Sequence, residues 1–260
     1  MSPQISSVKS LFIINDSLAN KISYFHLMLL MASLPFDMFY SHIILISLAV
    51  HSLIHLDKRD VKPIVSYRTL ILQSVFWVTV ISTIYTVNMP GAFEQWARHL
   101  TILIIPLIFC INPLDLRKYR ANLFLIFSIV CTLTIIYLYA DALHTTRYYH
   151  LPLKSIFWAN FTSHNFSLPL NIHATFFSLQ LALALVYLLS VLLTADVKYK
   201  GFYIACCLVL AAGIMQLSSK SVFAATLIAV NFAVPYFLLQ QARRRKFMVI
   251  AMSVTVLLAG

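Results

Sequence analysis

Apolar runs of roughly 15 to 22 residues, parted by short clusters of charge, recur along the whole chain and leave few folds open to it. Each run is about as long as an α-helix needs to be to cross a hydrocarbon core near 30 Å thick. A helix satisfies its own backbone N–H and C=O groups, which lipid does not, whereas a barrel would need short alternating strands that this pattern lacks. At 260 residues, 61% hydrophobic content and a mean hydropathy of +0.86 leave too little polar surface to cover one or two soluble domains. The expected fold is all-α, a polytopic transmembrane helix bundle of eight or nine spans. Residues 1–21 form a cytoplasmic N-terminal segment and residues 22–260 the transmembrane helical domain.

Ile22 to Leu56 is too long for one span, since a single helix there would measure about 52 Å. Pro35, Phe36 and Asp37 supply a break, because a continuous helix would carry a carboxylate near mid-membrane. Spans are expected near 22–36, 41–56, 69–87, 98–112, 122–141, 171–194, 202–217 and 221–239, with a ninth opened at Phe247 and cut off at Gly260. Pro106 and Pro235 should each kink the span that holds it. The longest loop, 142–170, is expected outside. No cleavable signal peptide is apparent, so the first span is expected to act as an uncleaved insertion signal.

Orientation follows from the cations. With the N-terminus in the cytoplasm, all of the 19 Lys and Arg fall inside except Arg98, Arg147, Lys154 and Lys220. The net charge of +11 is then a consequence of topology and does not indicate a nucleic-acid partner, which would require basic residues on one face of a soluble domain. Cys110, Cys131, Cys206 and Cys207 lack ligand spacing and read as small packing residues.

The four outer cations are the candidates for chemistry. Arg98, in Gly91-Ala92-Phe93-Glu94-Gln95-Trp96-Ala97-Arg98-His99 just before a Pro106-bent span, has the planar fork that holds a phosphate. The plainer alternative is a snorkelling arginine or a local pair with Glu94. Lys220, in Leu217-Ser218-Ser219-Lys220-Ser221, sits at the ends of two helices, where free N–H groups favour an anion; an ordinary turn with an interfacial lysine is the alternative. His144, Arg147, His150, Lys154, Trp158 and His164 crowd the long loop, and His173 opens the next span. Their spacing does not match a zinc site and Asp141 is the only nearby carboxylate, so interfacial side chains are the better reading and no metal is expected. His51 and His55, one turn apart beside Asp57, read as a solvated helix end. All eight acids lie at or beyond the interfaces, which weighs against a proton-coupled transporter, and no P-loop, GxSxG or HExxH pattern occurs.

Three features, in this order, resemble the amino-terminal two thirds of the O-antigen ligase family: Trp96-Ala97-Arg98-His99-Leu100 before Ile104-Ile105-Pro106-Leu107, Asn171-Ile172-His173-Ala174-Thr175-Phe176-Phe177-Ser178, and Leu217-Ser218-Ser219-Lys220-Ser221. The short first hairpin adds to the likeness. The resemblance implies a C-type glycosyltransferase architecture in the bacterial inner membrane that transfers a glycan, with inversion and without a cofactor, at the periplasmic face. The donor would be an undecaprenyl-pyrophosphate-linked glycan, and the acceptor lipid A core or another glycan. Under it Arg98, Lys220 and Arg147 are candidate phosphate-binding residues, supported by His99, Ser219 and His173. The family usually has Ser-Arg where this chain has Ser219-Lys220, a point charge in place of a fork. Its catalytic His belongs to a periplasmic loop expected beyond Gly260, so no catalytic residue is expected within the chain. A permease or flippase for an anionic lipid-linked substrate, or an inactive fragment, is the rival expectation.

Overall fold

The computed structural model describes residues 11–36, 38–56, 66–195, 197 and 199–259. Asp37 of the expected break, Lys58, Arg59 and Lys62 with Asp57 and Asp60, and Lys9, Asp196, Lys198 and Gly260 lie outside the described residues. Among the described residues every regular element is helical. In chain order these are α1 (Leu18–Ser33), α2 (Met38–Ile54), α3 (Tyr67–Ser82, prolonged by a 3-10 turn Thr83–Tyr85), α4 (Met89–Ile111) and α5 (Leu116–Tyr148). After two 3-10 turns come α6 (His164–Ser167), α7 (Ala174–Thr194), α8 (Lys200–Gln216), α9 (Lys220–Ile228), α10 (Val234–Leu238) and α11 (Gln241–Ala259). Five stretches are long and apolar enough to cross a membrane: Tyr67–Tyr85, Met89–Ile111, Leu116–Tyr148, Ala174–Thr194 and Lys220–Leu238. Phe39–Ile54 and Lys200–Gln216 are apolar but shorter.

Each expected span coincides with helix, yet two boundaries move far. α4 begins at Met89 instead of near residue 98, because Asn88 Oδ1 accepts the Gly91 N–H at 3.1 Å and Pro90 stands in the first turn, where its missing N–H is harmless. α5 runs on to Tyr148, through the first seven residues of the expected 142–170 loop. It stops where His150 adopts a left-handed φ of 52°, with Leu151 N–H bonded to Thr146 O and His150 N–H to Arg147 O. Hydropathy marks where lipid contact ends, and polar residues continue a helix past that point.

By internal contacts the chain divides into two units. One unit comprises Asn15–Leu27 and His42–Asp115. In it α3 packs on α4, and the buried Gln73 donates to Leu103 O at 3.2 Å, beside the Ile102 carbonyl that Pro106 deprives of its usual donor. Asn112, the residue after α4, is buried and fully used. Its Nδ2 donates to Ser23 Oγ (3.2 Å) on α1 and to Ser52 Oγ (2.7 Å) on α2, while its Oδ1 accepts from Leu114 N–H (2.9 Å). Beside this clip, the His26, His51 and His55 rings follow one another at 5.7 and 4.6 Å between centroids. His51 donates through Nε2 to Ala19 O at 3.0 Å, so it is part of the α1–α2 contact and not a solvated helix end.

The other unit comprises Met1–Ile14, Met28–Ser41 and Leu116–Gly260. Its core is three mutually packed helices, with Cys131, Ile135 and Leu138 of α5, Phe177, Leu181 and Leu188 of α7, and Leu210 and Ile214 of α8 all buried. The three-, four- and seven-residue spacings put each set on one helical face. Gly213 lets α8 approach closely: a Cβ there would stand 2.6 Å from Ile135 Cδ1 and 3.1 Å from Leu181 Cδ1. Tyr139 OH donates to Ala212 O (3.1 Å) and Tyr187 OH to Ala121 O (2.7 Å), joining α5 to its two neighbours. α9 passes into α10 through a π turn, Ala229–Ala233, just ahead of Pro235, so wide winding accompanies the proline's missing N–H. Cys110, Cys131, Cys206 and Cys207 are buried free thiols.

Two stability outcomes follow. Asn112→Ala removes the acceptor of the Leu114 N–H and the donor to the Ser23 and Ser52 hydroxyl oxygens, and should lower stability by about 1–3 kcal/mol, read as a shifted thermal transition in detergent. Gly213→Leu overfills the α5–α7–α8 contact and should cost about 1–3 kcal/mol in the same assay; an unchanged transition would contradict the packing described.

Candidate functional site

Candidate residues gather at one end of the second unit, where α5 finishes, α7 and α9 begin and α8 finishes. Between α5 and α7 the chain makes tight 3-10 turns, Leu153–Phe157 and Ala159–Phe161, whose carbonyls need donors. Gln216, the last residue of α8 and buried, supplies them: its Nε2 donates to Ile156 O (2.7 Å) and Phe161 O (2.6 Å), and its own carbonyl accepts Ser163 N–H (3.0 Å). Four non-glycine residues have positive φ among the described residues, namely His150, Ser163, Asn171 and Ser218, and all belong to this end. Such backbone is uncommon and persists where surrounding contacts over-determine it, as Gln216 does here.

His164 and His173 stand edge to face with centroids 4.2 Å apart. His164 Nδ1 accepts Ala174 N–H at 3.5 Å and His173 Nδ1 accepts Thr175 N–H at 3.3 Å, so the pair caps α7 through imidazole nitrogens. Arg147 is exposed in the last turn of α5, where a cation also suits the helix dipole. Lys220 is exposed as the first residue of α9, which packs on α7. Ser219 precedes it and makes no side-chain capping bond. Arg147, His173, Ser219 and Lys220 therefore flank one tied loop. No Asp or Glu occurs in 142–195, which holds Arg147, Lys154 and His173, or in 197–260, which holds Lys220.

Arg98 and His99 belong to the other unit. Arg98 lies inside α4, in its third turn, and not ahead of it as expected, because the Asn88 cap starts the helix early. Its Nη2 lies 2.6 Å from Glu94 Oε1 one turn back, both side chains 63% exposed, which matches the local-pair alternative. His99 Nδ1 donates to Thr79 Oγ1 (3.1 Å), whose own proton goes to Val75 O (2.9 Å), so His99 ties α4 to α3. Among the described residues no group of three or more His, Cys, Asp or Glu is placed to hold a metal ion.

Gln216 and Asn112 are the residues that sequence reasoning passed over. Both are single amides at the end of an apolar run, and that position is the available signal. Gln216→Leu removes both donors and should raise hydrogen exchange across 153–163 by about tenfold or more, leaving the exchange of α5 and α7 little changed. Comparison with known proteins finds no matching family model, no matching curated protein and no matching solved structure.

Proposed function

We propose that the chain is the membrane-embedded part of an enzyme that transfers a glycan from a polyprenyl-pyrophosphate carrier. It would lie in a bacterial inner membrane with eight or nine spans and a cytoplasmic N-terminus. The observation that carries this reading is the tied end of the second unit, where exposed Arg147 and Lys154 lie on one stretch without carboxylates, 142–195, and exposed Lys220 on another, 197–260. Such a surface favours an anionic headgroup. Pyrophosphate is the matching leaving group, since fixed cations stabilise the charge that develops on it as the glycan departs. Lys220 and Arg147 would grip that group, Ser219 would add a hydrogen bond, and His173 would orient the first turn of α7 toward it. Arg98 would be a further cation at the periplasmic face, with His99 holding its helix. The acceptor would be lipid A core or a second glycan unit.

In the full-length protein, Lys220→Ala is expected to reduce glycan transfer by about 10²–10³-fold at unchanged expression, seen as loss of the ladder on gels. Arg98 needs a sharper test because it is paired with Glu94. A phosphate role predicts that Arg98→Gln with Glu94→Gln is as inactive as Arg98→Gln alone. Recovery in the double variant would assign Arg98 to the ion pair only, and a normal ladder in Lys220→Ala would reject the reading.

A further inference from the structure

In the first unit, the end of α3 and the start of α4 enclose an open cleft of about 450 Å³, within the size range of small-ligand sites. It is lined by Thr79, Ser82, Thr83, Tyr85, Asn88 and Gln95 around the small Gly91 and Ala92, and Thr86 closes the row. No Asp, Glu, Lys, Arg or His lines it.

Hydrogen bonding within the protein decides what this lining presents. The hydroxyl protons of Thr79, Ser82 and Thr83 are spent on the backbone carbonyls of Val75, Thr79 and Val80, at 2.9, 2.7 and 2.6 Å. Their oxygens keep lone pairs and present acceptors to the cleft. Asn88 is committed in the opposite sense: its Oδ1 accepts Gly91 N–H (3.1 Å), which leaves the Nδ2 protons as donors. Thr86 Oγ1 accepts Asn88 N–H (3.4 Å) and keeps its proton, and Gln95 offers both functions. Acceptors on α3 thus face donors at the start of α4, and the Tyr85 ring, 84% exposed, stands at the margin.

A ligand that fits must donate and accept at several points without carrying charge. A cation finds no carboxylate in the lining, and an anion finds no cation there; Arg98, three residues beyond Gln95, is not among the lining residues and pairs with Glu94. Sugar hydroxyls each donate and accept, and the apolar face of a sugar ring suits an exposed tyrosine. We infer that this cleft is a saccharide-binding site, with Ser82, Thr83, Asn88 and Gln95 as its hydrogen-bonding residues. The inference rests on the transferase reading for the claim that the sugar is part of the substrate, and stands apart from it for binding itself.

The test uses the purified protein in nanodiscs and saturation-transfer NMR with glucose, galactose, rhamnose and N-acetylglucosamine, and with choline and inorganic phosphate as charged probes. Expected is saturation transfer to at least one sugar, weakened about tenfold or more by Ala92→Phe, which fills the cleft, and by Thr83→Val with Gln95→Leu, which removes hydrogen-bonding groups at near-constant volume. Variants are compared at matched thermal transitions, and the second keeps the test open if Ala92→Phe misfolds. Absence of sugar transfer, sugar transfer unmoved by either variant, or displacement by choline or phosphate would overturn the inference. Full glycan transfer by a variant that no longer binds sugar would show that the cleft holds no substrate sugar. Normal transfer by Lys220→Ala with intact sugar binding would remove the transferase reading alone.

Discussion

An amide side chain inside an apolar helical assembly has to be hydrogen-bonded, and in each unit one such residue gathers the chain around it. Asn112 has two N–H donors and one carbonyl, and all three are matched, two of them to serines on other helices. Gln216 does the same for a loop, joining the end of α8 to the carbonyls of Ile156 and Phe161. Removing either would leave several buried groups unpaired at once, which is why single positions hold so much of the architecture. In the second unit the apolar contacts between α5, α7 and α8 supply bulk packing, and Gln216 fastens the 153–163 turns to the end of α8.

The same logic governs the backbone. The Gln73 amide sits beside the carbonyl left by Pro106, and a π turn precedes Pro235. Among the described residues, the four non-glycine positions of positive φ, His150, Ser163, Asn171 and Ser218, all lie at the end of the unit where Gln216 fastens the 153–163 turns. The turns that join α5 to α7 are thereby held to the end of α8 by hydrogen bonds as well as by chain connectivity.

The helical class and the position of each apolar run were legible because spans of lipid-crossing length admit only helix. Helix ends were less so. α4 starts nine residues before its strongly apolar part, at a cap formed by Asn88 and Pro90 that hydropathy does not register. Nor could the sequence tell which face of α5, α7 or α8 is buried, since lipid-facing and core-facing residues are alike apolar: Leu133 is exposed while Ile135, two residues on, is fully buried. Of the site, the basic residues were visible as exceptions to the charge bias. The polar cleft was not, because Thr79, Ser82, Thr83 and Gln95 are ordinary helix-surface residues until α3 and α4 are set side by side.

α5 has 33 residues and so measures about 50 Å, against a hydrocarbon slab of about 30 Å. Even tilted by about 40°, the steep end of the usual range, it would rise roughly 38 Å along the bilayer normal and outreach the slab. In such a slab its ends would stand clear of the acyl chains, and one of those ends leads into the turns between α5 and α7.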